Sequence, residues 1–476
     1  MAQTIKSKLE AARRHLGRHG QEHVMRFVEQ LNRQQRLELL ADIDLLDLDL
    51  IDQLVARYIR NPPSIKLPEK ICPPPVYPIK PTGALERKYQ NALQRGERLI
   101  AERKVAAFTV AGGMGTRLNF DGPKGCLPVT PVRNKTLFRL FAESLIATGR
   151  RYNSIIPWYI MTSQAHHEQT RRYFQENNYF RLNPDTVKFF QQGIMPSFDS
   201  EGKILMRAQN RLSLSPDGHG GSLRALYNSG AISDMARRGV EYISYFQVDN
   251  LLVRMIDPLF IGLHALDNAE MSSKAVIKCD PLEKVGNFVL VDGKITVIEY
   301  SDLPEELARQ RREDGRLMFE LGSIAIHIIS RSFVERLNKQ GFSLPWHRAS
   351  KKVPYLDESG NLIQPDEPNA VKLETFVFDA LALADASLIL AIEREDEFAP
   401  IKNAAGVDSL QSSQRLQMEK AARWIQQAGL EVPRKEDGSA DLLIEISPLY
   451  ALDIDEFLQK RRLLRPLKRG DIVYLG

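Results

Sequence analysis

The run from Val105 to Gly125, VAAFTVAGGMGTRLNFDGPKG, joins an apolar stretch to paired glycines, an arginine and a Pro-Lys-Gly triplet. That order predicts a buried strand emptying into a loop able to receive phosphate. Gly112, Gly113 and Gly115 permit backbone conformations closed to other residues and leave peptide N–H groups uncovered, so an anionic, planar ligand can lie against the main chain. Arg117 and Lys124 add fixed positive charge, the first able to grip phosphate oxygens bidentately, the second acting as a point charge. No Gly-Lys-Ser/Thr opens a helix here and GxGxxG is absent, so neither a P-loop nor a dinucleotide-binding turn is predicted.

The loop needs a sheet behind it. Strands are predicted at Val105–Val110, Ile155–Thr162, Val187–Phe190, Tyr242–Val248 and Ser273–Ile277, separated by helices at Leu137–Ala147, Glu168–Asn177 and Leu223–Arg238. This alternation is that of a doubly wound α/β fold. Phe288–Tyr300 alternates about Asp292-Gly293 and predicts a hairpin, which makes the sheet mixed. Short helices are expected between Thr4 and Arg60, then a proline-dense linker from Pro62 to Pro81, and a helix over Leu85–Leu99. After Pro400 the chain turns polar around Ser409–Gln417, with a helix near Met418–Ala428 and strands at Leu442–Ile446 and Ile472–Leu475. With 476 residues available, the expected division is an N-terminal helical segment with its linker (1–95), an α/β core (96–403) and a small β-containing C-terminal domain (404–476).

Charge and cysteine usage narrow the class. The 65 basic and 60 acidic residues leave a net charge of +5, which suits a polyanionic small substrate and is too small to argue for nucleic acid. The basic run Lys460, Arg461, Arg462, Arg465, Lys468 and Arg469 lacks the interleaved aromatics that stack bases, and reads as a solvated face. Cys72, Cys126 and Cys279 are scattered and form no CxxC pair, so a reducing compartment without zinc or disulfides is expected. No signal-type segment and no bilayer-length apolar run is present, and a cytoplasmic location away from membranes follows as the expectation.

In open α/β sheets ligands sit beyond the carboxyl ends of strands, which directs attention to residues just after each predicted strand. Gln192, in Gln191-Gln192-Gly193, offers an amide donor and acceptor suited to a base edge, or a plain loop amide. Pro216-Asp217-Gly218-His219-Gly220-Gly221 is a second glycine loop placed before a helix. Asp249 ends the Tyr242–Val248 strand and suits either a hard divalent cation or the cap of a following helix. Lys402, in EFAPIKN, is a lone cation in an apolar and acidic setting. His166-His167-Glu168 has the residue types of a metal site, but adjacent histidines do not share a helix face.

Taken together, VAGGMGTRLNFDGPKG, KTLFRLFAE (Lys135–Glu143), PWYIMTS (Pro157–Ser163), FFQQGIMP (Phe189–Pro196), SPDGHGG (Ser215–Gly221), VDNLLV (Val248–Val253), VIEYSDL (Val297–Leu303), DGRLMF (Asp314–Phe319), FVFD (Phe376–Asp379) and REDEFAPIKN (Arg394–Asn403) resemble the UDP-sugar pyrophosphorylase family. Within it the resemblance is to the eukaryotic-type UDP-N-acetylglucosamine pyrophosphorylases, and it extends from the N-terminal helices to ISPL at Ile446–Leu449.

The resemblance implies a Rossmann-like nucleotidyltransferase core and a uridylyltransferase that makes a UDP-sugar and pyrophosphate from UTP and a sugar 1-phosphate with Mg2+ or Mn2+. It implies that Ala111, Gly112, Gly113 and Gln192 hold uracil and that Gly218 lines the nucleotide. Asp249 would hold the metal; Lys124, Lys402 and Arg117 would meet phosphate. Gly286 and Glu299 would face sugar hydroxyls, with Phe376 and Phe378 forming the wall beside the sugar's 2-substituent. Two positions depart from the family pattern: His219 stands where Asn is usual, and Ser323 stands where an Asn faces the sugar. N-acetylglucosamine 1-phosphate is the expected substrate. The alternatives are a glucose 1-phosphate or broad-specificity enzyme and a non-catalytic nucleotide-sugar-binding regulator.

Overall fold

The computed structural model describes residues 4–63, 67–68, 70–342, 344–460 and 465–476; Arg461 and Arg462 of the basic run lie outside them. Two compact units form, and each is discontinuous in sequence. The larger comprises Pro68–Gln191, Leu223–Phe342 and Ala380–Gly476; the smaller comprises Met1–Leu67, Gln192–Ser222 and Ser343–Asp379. The units thus cut across the three sequential segments expected from the sequence.

In the larger unit nine strands make one sheet: β1 (Val105–Val110), β2 (Trp158–Thr162), β3 (Val187–Gln191), β4 (Tyr242–Gln247), β5 (Met271–Ile277), β6 (Gly286–Val291), β7 (Lys294–Ile298), β8 (Leu321–Ser330) and β9 (Ser387–Ile392). Their order is β7-β6-β8-β4-β1-β2-β3, with β5 also paired to β8 and β9 to β5. β1 lies parallel to β2 and β4, whereas β8 runs antiparallel to β4, β5 and β6, so the sheet is mixed as predicted. Val105, Ala106, Ala107 and Phe108 are fully buried, the near-continuous apolar run that a strand covered on both faces requires. The hairpin turns at Asp292 (φ 47°) and Gly293 (φ 77°), the two left-handed positions of a type I′ turn.

Helices cover the sheet. Ala84–Ala101 and Pro258–Leu266 approach backbone to backbone, because a Cβ on Gly96 would stand 1.8 Å from the Pro258 carbonyl oxygen and one on Gly262 1.7 Å from that of Ala92. The proline-rich linker is pinned where Cys72 pairs with Leu290 and Tyr77 with Leu390. The helix expected over Leu223–Arg238 is two helices, Gly221–Asn228 and Ala231–Arg237, because Gly230 (φ 75°) adopts the left-handed conformation that stops the first. The polar stretch from Ser409 is helical too. A capping box between Ser409 and Ser412 starts Leu410–Gln427 eight residues early, and the buried Ser413 hydroxyl donates to the Pro400 carbonyl at 2.9 Å.

Leu443–Ile446 pairs in parallel with Ile472–Leu475. Ala422, Ile425, Ile444 and Phe457 form an apolar cluster of their own there, yet this segment joins the larger unit. A buried clasp accounts for that: Lys135 Nζ lies 2.5 Å from Glu143, 3.7 Å from Glu445 and 3.0 Å from the Tyr474 hydroxyl, while Glu445 accepts the Val132 and Arg133 N–H groups.

In the smaller unit, helices Ile5–Arg18, Arg33–Asp44 and Leu48–Leu54 lay Leu16, Leu39 and Ile51 against Phe198, Leu212 and Leu373 from the strand pairs of Gln192–Ser222 and Ser343–Asp379. Among the described residues those two segments hold no complete helix of their own, and the N-terminal helices cover their strand pairs instead. Buried Asp42 fastens the arrangement by accepting from Arg211 twice, at 2.9 Å each, and from the Leu212 N–H at 2.9 Å.

Candidate active site

The loop after β1 closes on itself. Met114 pairs with Pro123, the Gly115 N–H donates to the Gly122 carbonyl (3.1 Å), and the Lys124 N–H donates to the Gly113 carbonyl (3.3 Å). Neither Gly113 nor Gly115 takes a positive φ, contrary to expectation; Gly122 does, at 149°. Gly115 is required for space instead, since a Cβ there would stand 2.7 Å from Phe120. Ala111 is buried at the loop's start, and Gly113 is exposed with open space where a side chain would project.

Closing the loop carries Lys124 to the end of β4, where its Nζ lies 3.7 Å from Asp249. Burial pushes the Lys124 ammonium below its usual range, Asp249 pulls it back up, and Lys402 and then Arg117 push it down. Those influences place Lys124, Lys402 and Arg117 in one electrostatic neighbourhood with Asp249. Lys402 arrives there from a distant part of the chain. The Asn250 amide donates to the Glu397 carbonyl (2.7 Å) and accepts the Ala399 N–H (2.9 Å), and the Ile401 N–H donates to the Asp249 carbonyl (2.9 Å). Exposed Lys402 then leads a turn whose N–H donates to the Asp408 carbonyl at 2.6 Å. Burial raises the Asp408 carboxyl above its ordinary range, with Lys402 pulling the other way.

A second group forms on β6 to β8. Gly286 pairs with Ser323, and a Cβ on Gly286 would stand 2.5 Å from Val297, 3.6 Å from a Glu299 carboxylate oxygen and 3.7 Å from the Ser323 Cβ. The three residues expected to face sugar therefore meet around one missing side chain. Just beyond Ser323 the β8 register shifts and Ala325 takes a φ of 54°, so β8 bulges beside this group.

In the smaller unit, the second glycine loop lies against the end of the strand Ala370–Thr375. Gly218 (φ 86°) leaves no room for a Cβ, which would fall 2.2 Å from the Thr375 carbonyl oxygen, and the Gly220 N–H donates to that oxygen at 2.8 Å. His219 stacks on Phe376 with ring centroids 5.1 Å apart and meets Phe378 edge-on at 5.7 Å. Gln192 is 9% exposed, and its side-chain amide bonds no other described residue.

His166 and His167 turn to Gln169 (2.9 Å) and Thr162 (2.7 Å), and no three His, Cys, Asp or Glu among the described residues form a metal-binding group. A cavity of about 290 Å3 in the larger unit is lined by Phe141, Arg254, Lys420 and Trp424, with Glu397 on its wall. Sequence reasoning missed Asn250, Asp408 and the ions behind Glu397, where fully buried Lys274 lies 2.7 Å from Asp257 and 2.5 Å from Glu397. A lysine inside the apolar β5 run was the available signal for the last of these.

With this geometry in hand, comparison with known proteins is specific. The profile of the UTP–glucose-1-phosphate uridylyltransferase family matches residues 49–464. The human UDP-N-acetylhexosamine pyrophosphorylase-like protein 1 is 35% identical over 490 residues, covering 96% of each chain. The UDP-N-acetylglucosamine pyrophosphorylase of Saccharomyces cerevisiae is 34% identical over 445 residues, covering 90% of this chain and 92% of its own. The fold matches the crystal structure of the Trypanosoma brucei uridine diphosphate N-acetylglucosamine pyrophosphorylase with a TM-score of 0.84, at 24% identity over 100% of this chain and 99% of that one. The sheet, the closed loop after β1 and the matched length agree, and the chain belongs to the UTP–glucose-1-phosphate uridylyltransferase family.

Proposed function

We propose that this chain transfers uridylyl from UTP to a sugar 1-phosphate, N-acetylglucosamine 1-phosphate foremost, releasing pyrophosphate. The observation that carries the reading is the convergence of Arg117, Lys124, Asp249 and Lys402 at the ends of β1 and β4, in a chain of this family. An oxygen of the sugar phosphate is already an anionic nucleophile and attacks the α-phosphorus in line, displacing pyrophosphate; no general base is needed. The obstacle is mutual repulsion between two polyanions, and Lys124, Lys402 and Arg117 act by neutralising charge while the closed loop aligns the reactants. Asp249 offers a single carboxylate, which fits Mg2+ or Mn2+ carried in on the phosphates rather than a resident ion; a cation so held adds charge neutralisation. Ala111, Gly112, Gly113 and Gln192 read uracil, and Gly218 lines the nucleotide. In the larger unit Gly286, Glu299 and Ser323 face the sugar; for His219, Phe376 and Phe378 of the smaller unit a sugar-facing role is what the family resemblance implies.

A broader sugar range is the second reading. Ser323 beside Gly286 and Glu299 gives this group a short hydroxyl where relatives of the resembling type place an amide, which favours acceptance of glucose 1-phosphate as well. The cytoplasm is the proposed compartment. The three cysteines are free thiols, and no described helix is long and apolar enough to cross a membrane. Neither nucleic acid nor a membrane is a proposed partner. The test is pyrophosphate release from UTP with a panel of sugar 1-phosphates. Release with N-acetylglucosamine 1-phosphate supports the reading, and binding of nucleotide sugar without turnover would establish the regulator instead.

A further inference from the structure

His219 is constrained in a way its sequence position does not reveal. Its Nδ1 lies 3.1 Å from the backbone nitrogen of Val377, whose N–H can only donate. Nδ1 must therefore present its lone pair, and the ring's proton sits on Nε2. Burial, with His347 adding to it, pushes the His219 pKa down to about 4, so the ring is neutral throughout the ordinary pH range. A neutral imidazole fixed in this tautomer has one hydrogen-bond donor left to offer and no acceptor. An asparagine at the same place would offer both.

A second imidazole supports this arrangement. His347 stacks on the ring that His219 also stacks on, Phe376, with centroids 4.3 Å apart and planes 29° from parallel. Its own orientation is set by Asp379, whose carboxylate lies 2.8 Å from His347 Nε2 and is only 10% exposed. Asp379 is tied back to Phe376 through its N–H, which donates to the Phe376 carbonyl at 3.2 Å. His347 stands on the strand Trp346–Lys351 in register with Glu374, so the backbone fixes its distance from the loop that holds Phe376 and Val377. Asp379, His347, Phe376 and His219 thus form one chain of contacts ending at the Nε2–H of His219, which bonds no described residue.

We propose that His347 and Asp379 are positioning residues that hold His219 as a donor-only group of fixed tautomer for an acceptor oxygen of the sugar 1-phosphate. The proposal rests on the uridylyltransferase reading and adds to it a direction: His219 selects oxygens that lack a proton, those of a phosphate or an acetamido carbonyl, over groups that need an acceptor.

Two measurements on the full chain test it. The first needs no substrate: the imidazole nitrogen shifts of 15N-labelled protein should show His219 protonated on Nε2 alone, and a mixture of tautomers in His347→Ala and Asp379→Asn. The second is kinetic. His347→Ala should raise KM for the sugar 1-phosphate roughly tenfold, the loss of one aligned hydrogen bond, while KM for UTP and kcat stay within about twofold. In a His219→Ala background the same substitution should change nothing further. His347→Phe, which keeps a stacking ring and drops the bond to Asp379, should fall between His347→Ala and the parent chain. A proton on Nδ1, an undiminished effect of His347→Ala when His219 is absent, or an equal rise in KM for UTP would each overturn the proposal. Should His347→Ala fail to fold, Asp379→Asn keeps the side-chain volume and carries the same comparisons. Absence of pyrophosphate release by the parent chain would instead sink the uridylyltransferase reading, with the tautomer result standing apart from it.

Discussion

Two clusters in the larger unit use the same residue types and are built in opposite ways. Around Lys274 the charges are closed: the ammonium has no exposure, two carboxylates lie 2.7 and 2.5 Å away, and although burial alone would raise the Asp257 carboxyl, Lys274 and Arg254 hold it down to about 2. Around Lys124 they are open. One carboxylate stands 3.7 Å off, two further cations press on it, and burial has lowered its affinity for a proton. A desolvated cation with too few counter-charges is costly unless a ligand supplies them, whereas a saturated ion pair does nothing beyond holding its surroundings. On the proposed function, surplus positive charge separates the cluster that meets a polyanion from the one that only holds the fold.

If that contrast is right, damage to the open cluster should appear in rate and damage to the closed one in stability. The largest effect belongs to Asp249, the carboxylate that stands against Lys124. Asp249→Ala should lower kcat a thousandfold or more, about 4 kcal/mol of barrier, with the unfolding midpoint close to that of the parent chain. Chelation by EDTA should likewise stop the parent chain, and added Mg2+ should restore it. Turnover that survives chelation would remove the metal from the proposal; an unimpaired Asp249→Ala would remove the residue.

Next in size is the closed cluster. Lys274→Met takes the buried ammonium away from buried Asp257 and half-buried Glu397 and should cost about 3 kcal/mol in urea unfolding. Lys124→Met removes a cation that burial disfavours and should leave stability within about 1 kcal/mol while depressing turnover. Equal stability losses in the two variants would abolish the distinction between open and closed.

Lys420 is an intermediate case that sharpens it. The ammonium donates to the Asp396 carbonyl at 2.6 Å with no carboxylate in contact, and burial pushes its pKa from 10.5 down to about 8. Below pH 8 both the folded and unfolded chains carry the proton, and the folded chain bears the desolvation cost. Between about pH 8 and 10.5 the unfolded chain binds the extra proton, so stability relative to Lys420→Met should rise across that window by about 3 kcal/mol. Parallel stability curves for the two proteins would show that Lys420 is effectively solvated.

The open cluster was largely legible in the sequence and the closed one was not. Strand ends advertise themselves: Val105–Val110 appears as predicted, and Arg117, Lys124 and Asp249 follow strands, where an α/β sheet presents its ligand-facing residues. Lys402 was legible through its motif, but the amide of Asn250 that delivers it depends on a pairing across 147 residues that no local spacing records. Lys135 and Glu143 show the opposite failure. Both lie in a motif that the family resemblance rests on, and the structure spends them on a buried clasp to Glu445 rather than on substrate. Conformational roles were less legible than chemical ones, since Gly122 takes the positive φ in the first loop while Gly113 and Gly115 do not.

The smallest effect should come from the sugar-facing group, where openness is a matter of hydrogen bonds rather than charge. Ser323 reaches less far than an amide, and on the proposed function the space beside Gly286 and Glu299 tolerates more than one sugar. A site that merely has room discriminates weakly, while one that places a polar group against a substrate amide rejects the analogue lacking it. The parent chain should therefore prefer N-acetylglucosamine 1-phosphate over glucose 1-phosphate by only one to two orders of magnitude in kcat/KM, roughly 1–3 kcal/mol. Ser323→Asn should widen that ratio by about tenfold, and combining it with His219→Asn should widen it again, with little change in KM for UTP. Steady-state kinetics on both sugar phosphates decide the matter: an unchanged ratio would move the choice of sugar from β8 to the wall formed by Phe376 and Phe378.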